Sequence, residues 1–151
     1  MFKRILVAVD GSEASNKALL TALQLARGHD SLVRLVFALD ELASVQGYRA
    51  SPQRRELAHE DGENVLRDAL AITRASGTHA DTYLAEARGR GLGEVIADAV
   101  HAWHADVVVV GTHGRRGIGR LLLGSGAEEV LRTSTVPVLS IRSETLSRAE
   151  R

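Results

Sequence analysis

Six of the chain's 14 glycines fall between Gly111 and Gly126, in the stretch GTHGRRGIGRLLLGSG. Four valines, Val107 to Val110, come directly before it, and AEEVLRT, a helical pattern, follows. Glycine weakens regular structure by roughly 0.5–1 kcal/mol per residue relative to alanine. Six in one connector therefore mark a backbone that bends sharply or comes close to something. A glycine-rich turn feeding a helix offers unpaired backbone N–H groups and the positive end of the helix dipole, a combination that suits phosphate. Ser125 adds a hydroxyl, and Arg115 and Arg116 are charged donors that a phosphate could recruit. A loop with no ligand can have the same composition, so the place of this loop in the fold decides.

Two phosphate-binding templates fail here. A P-loop needs GxxxxGK[ST], but Gly119-Arg-Leu-Leu-Leu-Gly124 runs into Ser125 and Gly126 without a lysine. The dinucleotide fingerprint GxGxxG fails at Gly89-Arg-Gly91-Leu-Gly93, where Glu94 stands in place of the third glycine, and that cluster reads as a plain strand-to-helix turn. His113 has no nucleophile placed beside it, so the sequence gives no support for a catalytic role there. His101 and His104 lie three apart on a helical pattern with no third ligand nearby in sequence. An exposed pair at a helix C-terminus accounts for them better than a metal site. Asp10 follows a buried strand and can begin a turn or face a ligand.

The elements that must position these residues alternate. Ile5 to Val9 is a short apolar strand closed by Asp10-Gly11, and Ser12 fits a helix N-cap. Ala18, Leu19, Ala22, Leu23 and Ala26 follow at helical spacing before Gly28. Leu32 to Leu39 reads as a second strand, and residues 40–53 as a polar connector. Leu57, Val65, Leu66, Ala69 and Leu70 mark a second helix ending near Gly77, and Thr82 to Ala85 a weaker third strand. Leu92, Val95, Ile96, Ala99, Val100 and Trp103 form a third amphipathic helix. Asp106 to Val110 is the fourth strand, Ala127, Val130 and Leu131 lie on a fourth helix, and Val136 to Ile141 is the fifth strand. The last nine residues, SETLSRAER, read as a polar, frayed tail.

Strands alternating with helices imply right-handed βαβ units and a parallel sheet covered on both faces. Strands that are apolar nearly throughout fit burial on both sides. In such sheets ligands bind beyond the strand C-termini, where the strand order reverses. The loops after strands one and four meet in one crevice if the reversal falls between them, a condition the pattern alone leaves open.

The bulk numbers close other routes. At 151 residues the chain reads as one domain, and equal counts of 19 basic and 19 acidic residues give no charge-driven attraction to nucleic acid or a membrane surface. The absence of cysteine excludes disulfides, thiolate chemistry and zinc–thiolate sites. No apolar run approaches the roughly 18 residues of a membrane span. The start, MFKRILVAVDG, lacks a signal peptide's apolar core, so the expected location is cytoplasmic.

The spacing Gly111-x-x-Gly114, nine residues, then Gly124-Ser125 resembles the phosphate-binding signature of the nucleotide-binding branch of the universal stress protein family. ILVAVDGSE resembles that family's first strand and turn, VFALDE its second strand, DVVVVGTHGRRG its fourth and TSTVPVLSIR its last. The resemblance spans about residues 2–142, with a domain at 1–142 and the tail at 143–151. It implies a Rossmann-like α/β fold: an open parallel five-stranded sheet in the order 3-2-1-4-5, helices on both faces. Asp10, with Ala8 and Val9 before it, would then accept a hydrogen bond from ribose hydroxyls. The backbone around Ala38 would meet adenine. Val110, Gly111, His113, Gly114 and Arg115 would line the approach to sugar and phosphates, and Gly124, Ser125 and Gly126 would supply phosphate donors. Ala8 departs from the proline that many members carry.

The resemblance implies a binding module for ATP or a related adenine nucleotide (AMP or cyclic AMP), with Mg²⁺ accompanying the phosphates and a regulatory protein partner in a stress response. An enzyme hydrolysing or transferring phosphate is the rival; Asp10 and Ser125 could serve a metal and Arg115 the charge, but no general base is identifiable. A nucleotide-independent interaction protein is the third reading. A homodimer is expected through Val136–Arg142, because the last strand lies at a sheet edge and carries no charge before Arg142. Replacing Leu139 by lysine should separate the subunits, provided its side chain faces the partner rather than the protomer's own core.

Overall fold

The computed structural model describes residues 1–39, 51–112 and 124–143. In chain order these form β1 (Arg4–Ala8), α1 (Glu13–Ala26), β2 (Leu32–Leu39), α2 (Pro52–Ala75), β3 (His79–Glu86), α3 (Leu92–Trp103), β4 (Val107–Gly111), α4 (Ser125–Thr133) and β5 (Val138–Ile141). Every strand pair is parallel and the order is β3-β2-β1-β4-β5. The reversal falls between β1 and β4, as the crevice requires.

Pleating sends alternate residues to opposite faces, and both faces are covered. Ile5, Val7, Val33, Leu35, Val107 and Val109 pack with Ala18, Leu19 and Ala22 of α1 and Leu66 and Ala69 of α2. On the other face Leu6, Val36 and Val108 pack with Val95, Ile96 and Val100 of α3 and Val130 of α4. This is why the strands read as unbroken apolar runs. Each fully buried Val, Leu or Ile contributes about 1.5–3 kcal/mol, and most of β1 and β4 is buried.

Several boundaries differ from the sequence expectation. The second helix begins at Pro52, inside the stretch read as a connector: Ser51 caps it by accepting from the Arg54 N–H, and proline suits the first helical position. Leu57, expected on its apolar face, is 64% exposed. The third strand is longer, from His79 to Glu86, its polar half hidden from a hydropathy reading because it lies at an uncovered edge. The fifth begins at Val138 rather than Val136, since the Ser134 hydroxyl bonds both the N–H and the carbonyl of Val136 and holds that residue in a turn. Residues 40–50 and the tail from 144 lie outside the described residues.

Candidate functional site

At the C-terminal end of β1 the chain makes an interlocked turn. Gly11 takes φ +81°, a left-handed conformation that favours glycine. The Asp10 carboxylate accepts from the Ser12 N–H at 2.8 Å, the Asp10 N–H donates to the Ser15 hydroxyl at 3.0 Å, and the Ser12 hydroxyl accepts from the Ser15 N–H at 3.2 Å. Ser12 is thus the N-cap of α1 as its type and place predict. Asp10 begins a turn, and it stands half-buried at the switch point. Buried Ser15 completes this turn, a role that no spacing in the sequence signalled.

The end of β4 meets the same place from the other side. A Cβ on Gly111 would lie 2.7 Å from the Ala14 carbonyl carbon and 2.8 Å from the Ser15 nitrogen. Glycine is required here because the first turn of α1 passes directly against the strand. Next along the chain, the Thr112 N–H donates to the Ile141 carbonyl at 2.9 Å, and its carbonyl accepts from the Gly124 N–H at 2.6 Å. That last bond ties the start of α4 to the end of β4. Gly124 is the N-cap of α4 and has no side chain with which to cap it. The first intrahelical bond runs from Glu128 N–H to the Gly124 carbonyl, so the N–H groups of Ser125, Gly126 and Ala127 have no acceptor within the helix. They form the positive end of its dipole. Ser125 is exposed there. Gly126 has a packing reason as well, since a Cβ would come within 2.8 Å of Leu92 on α3.

Ala8 and Ala38 sit half-buried at the tips of β1 and β2, on the face covered by α3 and α4. Their small side chains leave room above that edge. Val9 and Val110 are 5% and 3% exposed; their side chains belong to the interior, and only their backbone can face a ligand. The fold therefore brings Ala8, Val9, Asp10, Ala38, Val110, Gly111, Gly124, Ser125 and Gly126 to one end of the sheet. His113, Gly114, Arg115 and Arg116 lie outside the described residues.

The remaining sequence candidates sit elsewhere. The Gly89–Gly93 cluster is the turn into α3, with left-handed Arg88 and Gly89, and Gly93 lets α4 pack closely. His104 is the left-handed C-cap of α3, its ring 6.5 Å edge-on from that of His101. No group of three or more His, Cys, Asp or Glu residues among the described residues is arranged to hold a metal. A cavity of about 390 Å³ opens at the opposite end of the sheet, between the C-termini of α1 and α2, lined by residues such as Leu23, Arg27, Ser76 and His79. It shares no residue with the crevice.

The sequence model of the universal stress protein family matches residues 1–142. The chain belongs to the universal stress protein family. A universal stress protein of Thermus aquaticus is 31% identical over 142 residues, which cover 94% of this chain and 100% of that one. The crystal structure of a family protein from Burkholderia pseudomallei is 31% identical, covers 93% of this chain and 96% of that one, and aligns with a TM-score of 0.75. More distant members share the fold: one from Archaeoglobus fulgidus in complex with dAMP (24% identical, 91% and 96% covered, TM-score 0.69), one from Arabidopsis thaliana with AMP bound (19%, 95% and 93%, 0.68) and one in complex with cAMP (22%, 93% and 97%, 0.69). Those ligands are properties of those universal stress proteins.

Proposed function

We propose that this universal stress protein binds ATP or a related adenine nucleotide at the C-terminal end of its sheet and uses the bound state to regulate a partner in a cytoplasmic stress response. The observation that carries the reading is the start of α4: an uncapped helix N-terminus, tied by Gly124 to the end of β4 beside the switch point. Bound AMP, dAMP and cyclic AMP in proteins of this fold support an adenine nucleotide as the ligand. In this reading the phosphates lie against Gly124, Ser125 and Gly126, with Gly114, His113 and Arg115 beside them. Asp10 takes the ribose hydroxyls, and the backbone near Ala38 takes the adenine. The donor set fits an anion; Mg²⁺ would be held chiefly by the phosphates and water, with Asp10 and Ser125 as protein oxygens.

Hydrolysis is slow in this account. Phosphoryl transfer needs a positioned group to orient the nucleophile, and with Asp10 taken by the ribose no general base is identifiable among the described residues. Turnover is expected far below the typical enzymatic value of roughly 10 per second.

A homodimer through β5 is the second part of the proposal, supported by the strand's place at the sheet edge. Leu139 is not the residue to test it, because its side chain packs into the protomer's own core with α1. Crosslinking of backbone-adjacent Ser140 substituted by cysteine is the better probe, and a monomer by light scattering at tens of micromolar contradicts the dimer. The nucleotide reading is tested by mass spectrometry of small molecules released on denaturing purified protein. An adenine nucleotide at a stoichiometric level supports it. A protein that carries none and binds none when ATP, AMP or cyclic AMP is added refutes it.

A further inference from the structure

Thr112 is 1% exposed, and its hydroxyl is the buried side-chain polar atom among the described residues that finds no hydrogen-bond partner. Both its backbone groups are used, by Ile141 and Gly124. A buried polar group without a partner is destabilising and calls for an explanation. Valine would fill nearly the same volume without the penalty, and Val107 to Val110 form the rest of this strand.

The direction of the side chain supplies the explanation. A Cβ on Gly111 points at α1, so the following residue points to the opposite face, that of α3 and α4. On that side begins α4, the nine-residue helix whose N-cap is bonded to Thr112's own carbonyl. A hydroxyl that finds no partner among the described residues thus belongs to the residue tied to the start of α4, whose first backbone N–H groups also lack an intrahelical acceptor. Both needs are met by one kind of ligand, an oxyanion that accepts from each.

We infer that Thr112 is a positioning residue for the phosphate of the bound nucleotide, its hydroxyl left unbonded in the free protein and hydrogen-bonded only in the phosphate-bound state. The inference rests on the nucleotide reading and adds to it a residue that holds energy in reserve for the ligand. It separates the contribution of the phosphate from that of the adenosine.

The test compares wild type, Thr112→Val and Thr112→Ser in two measurements. Thermal unfolding without nucleotide reads the hydroxyl by itself. Thr112→Val is expected to melt about 2–4 °C higher than wild type, and a variant that melts lower shows that the hydroxyl already has an internal partner, which overturns the inference. Calorimetric titration with ATP, AMP and adenosine reads the ligand. Thr112→Val is expected to bind ATP and AMP about tenfold more weakly and adenosine as wild type does, while Thr112→Ser stays within about twofold of wild type for all three. Equal affinity of Thr112→Val and wild type for AMP overturns the role of Thr112 and leaves the nucleotide reading intact. An equal loss for adenosine overturns the assignment to phosphate. A wild type that binds none of the three refutes the nucleotide reading itself, and this inference falls with it.

Discussion

The two ends of the sheet differ in how fully their polar groups are met from within the protein. At the N-terminal end polar groups are paired. The Arg34 guanidinium donates to both Asp81 oxygens at 2.7 and 2.6 Å, which raises its pKa above the usual arginine value. It also stands 4.9 Å from the Trp103 ring, with Arg4 at 5.6 Å from the same ring. Arg4 donates to the Trp103 carbonyl at 2.7 Å, and one Asp106 oxygen accepts the N–H groups of Lys3 and Arg4. At the C-terminal end, beyond the paired turn of Asp10, Ser12 and Ser15, stand a helix start with no capping side chain and a buried hydroxyl without a partner.

Chain direction explains the contrast. In a parallel βαβ sheet each strand delivers the chain to a helix N-terminus at one end, and each helix returns it at the other. Positive dipole ends gather above the strand C-termini and negative ends below. Arg4 at the C-terminus of α3 answers the negative end from within the protein. The positive end of α4 has no capping side chain, and under the proposed function a ligand answers it. One end, in the same reading, stabilises the fold and the other is completed by the ligand.

Mutations at the two ends should therefore separate stability from affinity. The largest effect is expected for Trp103→Ala, which removes an 8%-exposed ring from the core and should cost about 3–5 kcal/mol in denaturant unfolding; wild-type stability would break the assignment of this end to the fold. Gly111→Val follows, because its Cβ would press on the α1 backbone. A loss of about 1–3 kcal/mol, accompanied by weaker nucleotide binding, is the expected result.

Gly124→Val sharpens the comparison from the other side. Gly124 holds φ −55° and ψ 144°, which any residue can adopt. Stability should stay within about 1 kcal/mol of wild type while calorimetry shows nucleotide affinity falling about tenfold or more. Unchanged affinity would remove α4 from the site. The smallest effect belongs to Asp81→Asn. The Arg34–Asp81 pair is partly solvated, with the two side chains 26% and 53% exposed, so the change should cost at most about 1 kcal/mol and leave binding untouched.

Much of this was legible in the residues. Strands buried on both faces announce themselves as apolar runs, and Ser12 lies at a helix start where its type predicts. The strand order came only with the family resemblance. What stayed hidden depends on contacts between distant segments. Gly111 looks like a ligand glycine in sequence, whereas its first duty is to admit the backbone of α1. Leu139 looks like an interface residue on an apolar edge strand, yet it faces the core, because one residue of register decides which face a side chain joins. Thr112 stood inside the glycine motif, but its significance lies in burial without a partner, which no spacing encodes.

The central claim is that a nucleotide completes the C-terminal end and leaves the other end alone. Backbone amide shifts of isotopically labelled protein, followed by NMR during titration with AMP, test it directly. The account predicts that the largest shifts fall on residues 8–12, 110–112 and 124–127, with little change at 27–31 and 76–79 around the opposite cavity. Shifts centred on that cavity would place the ligand at the wrong end of the sheet and contradict the account.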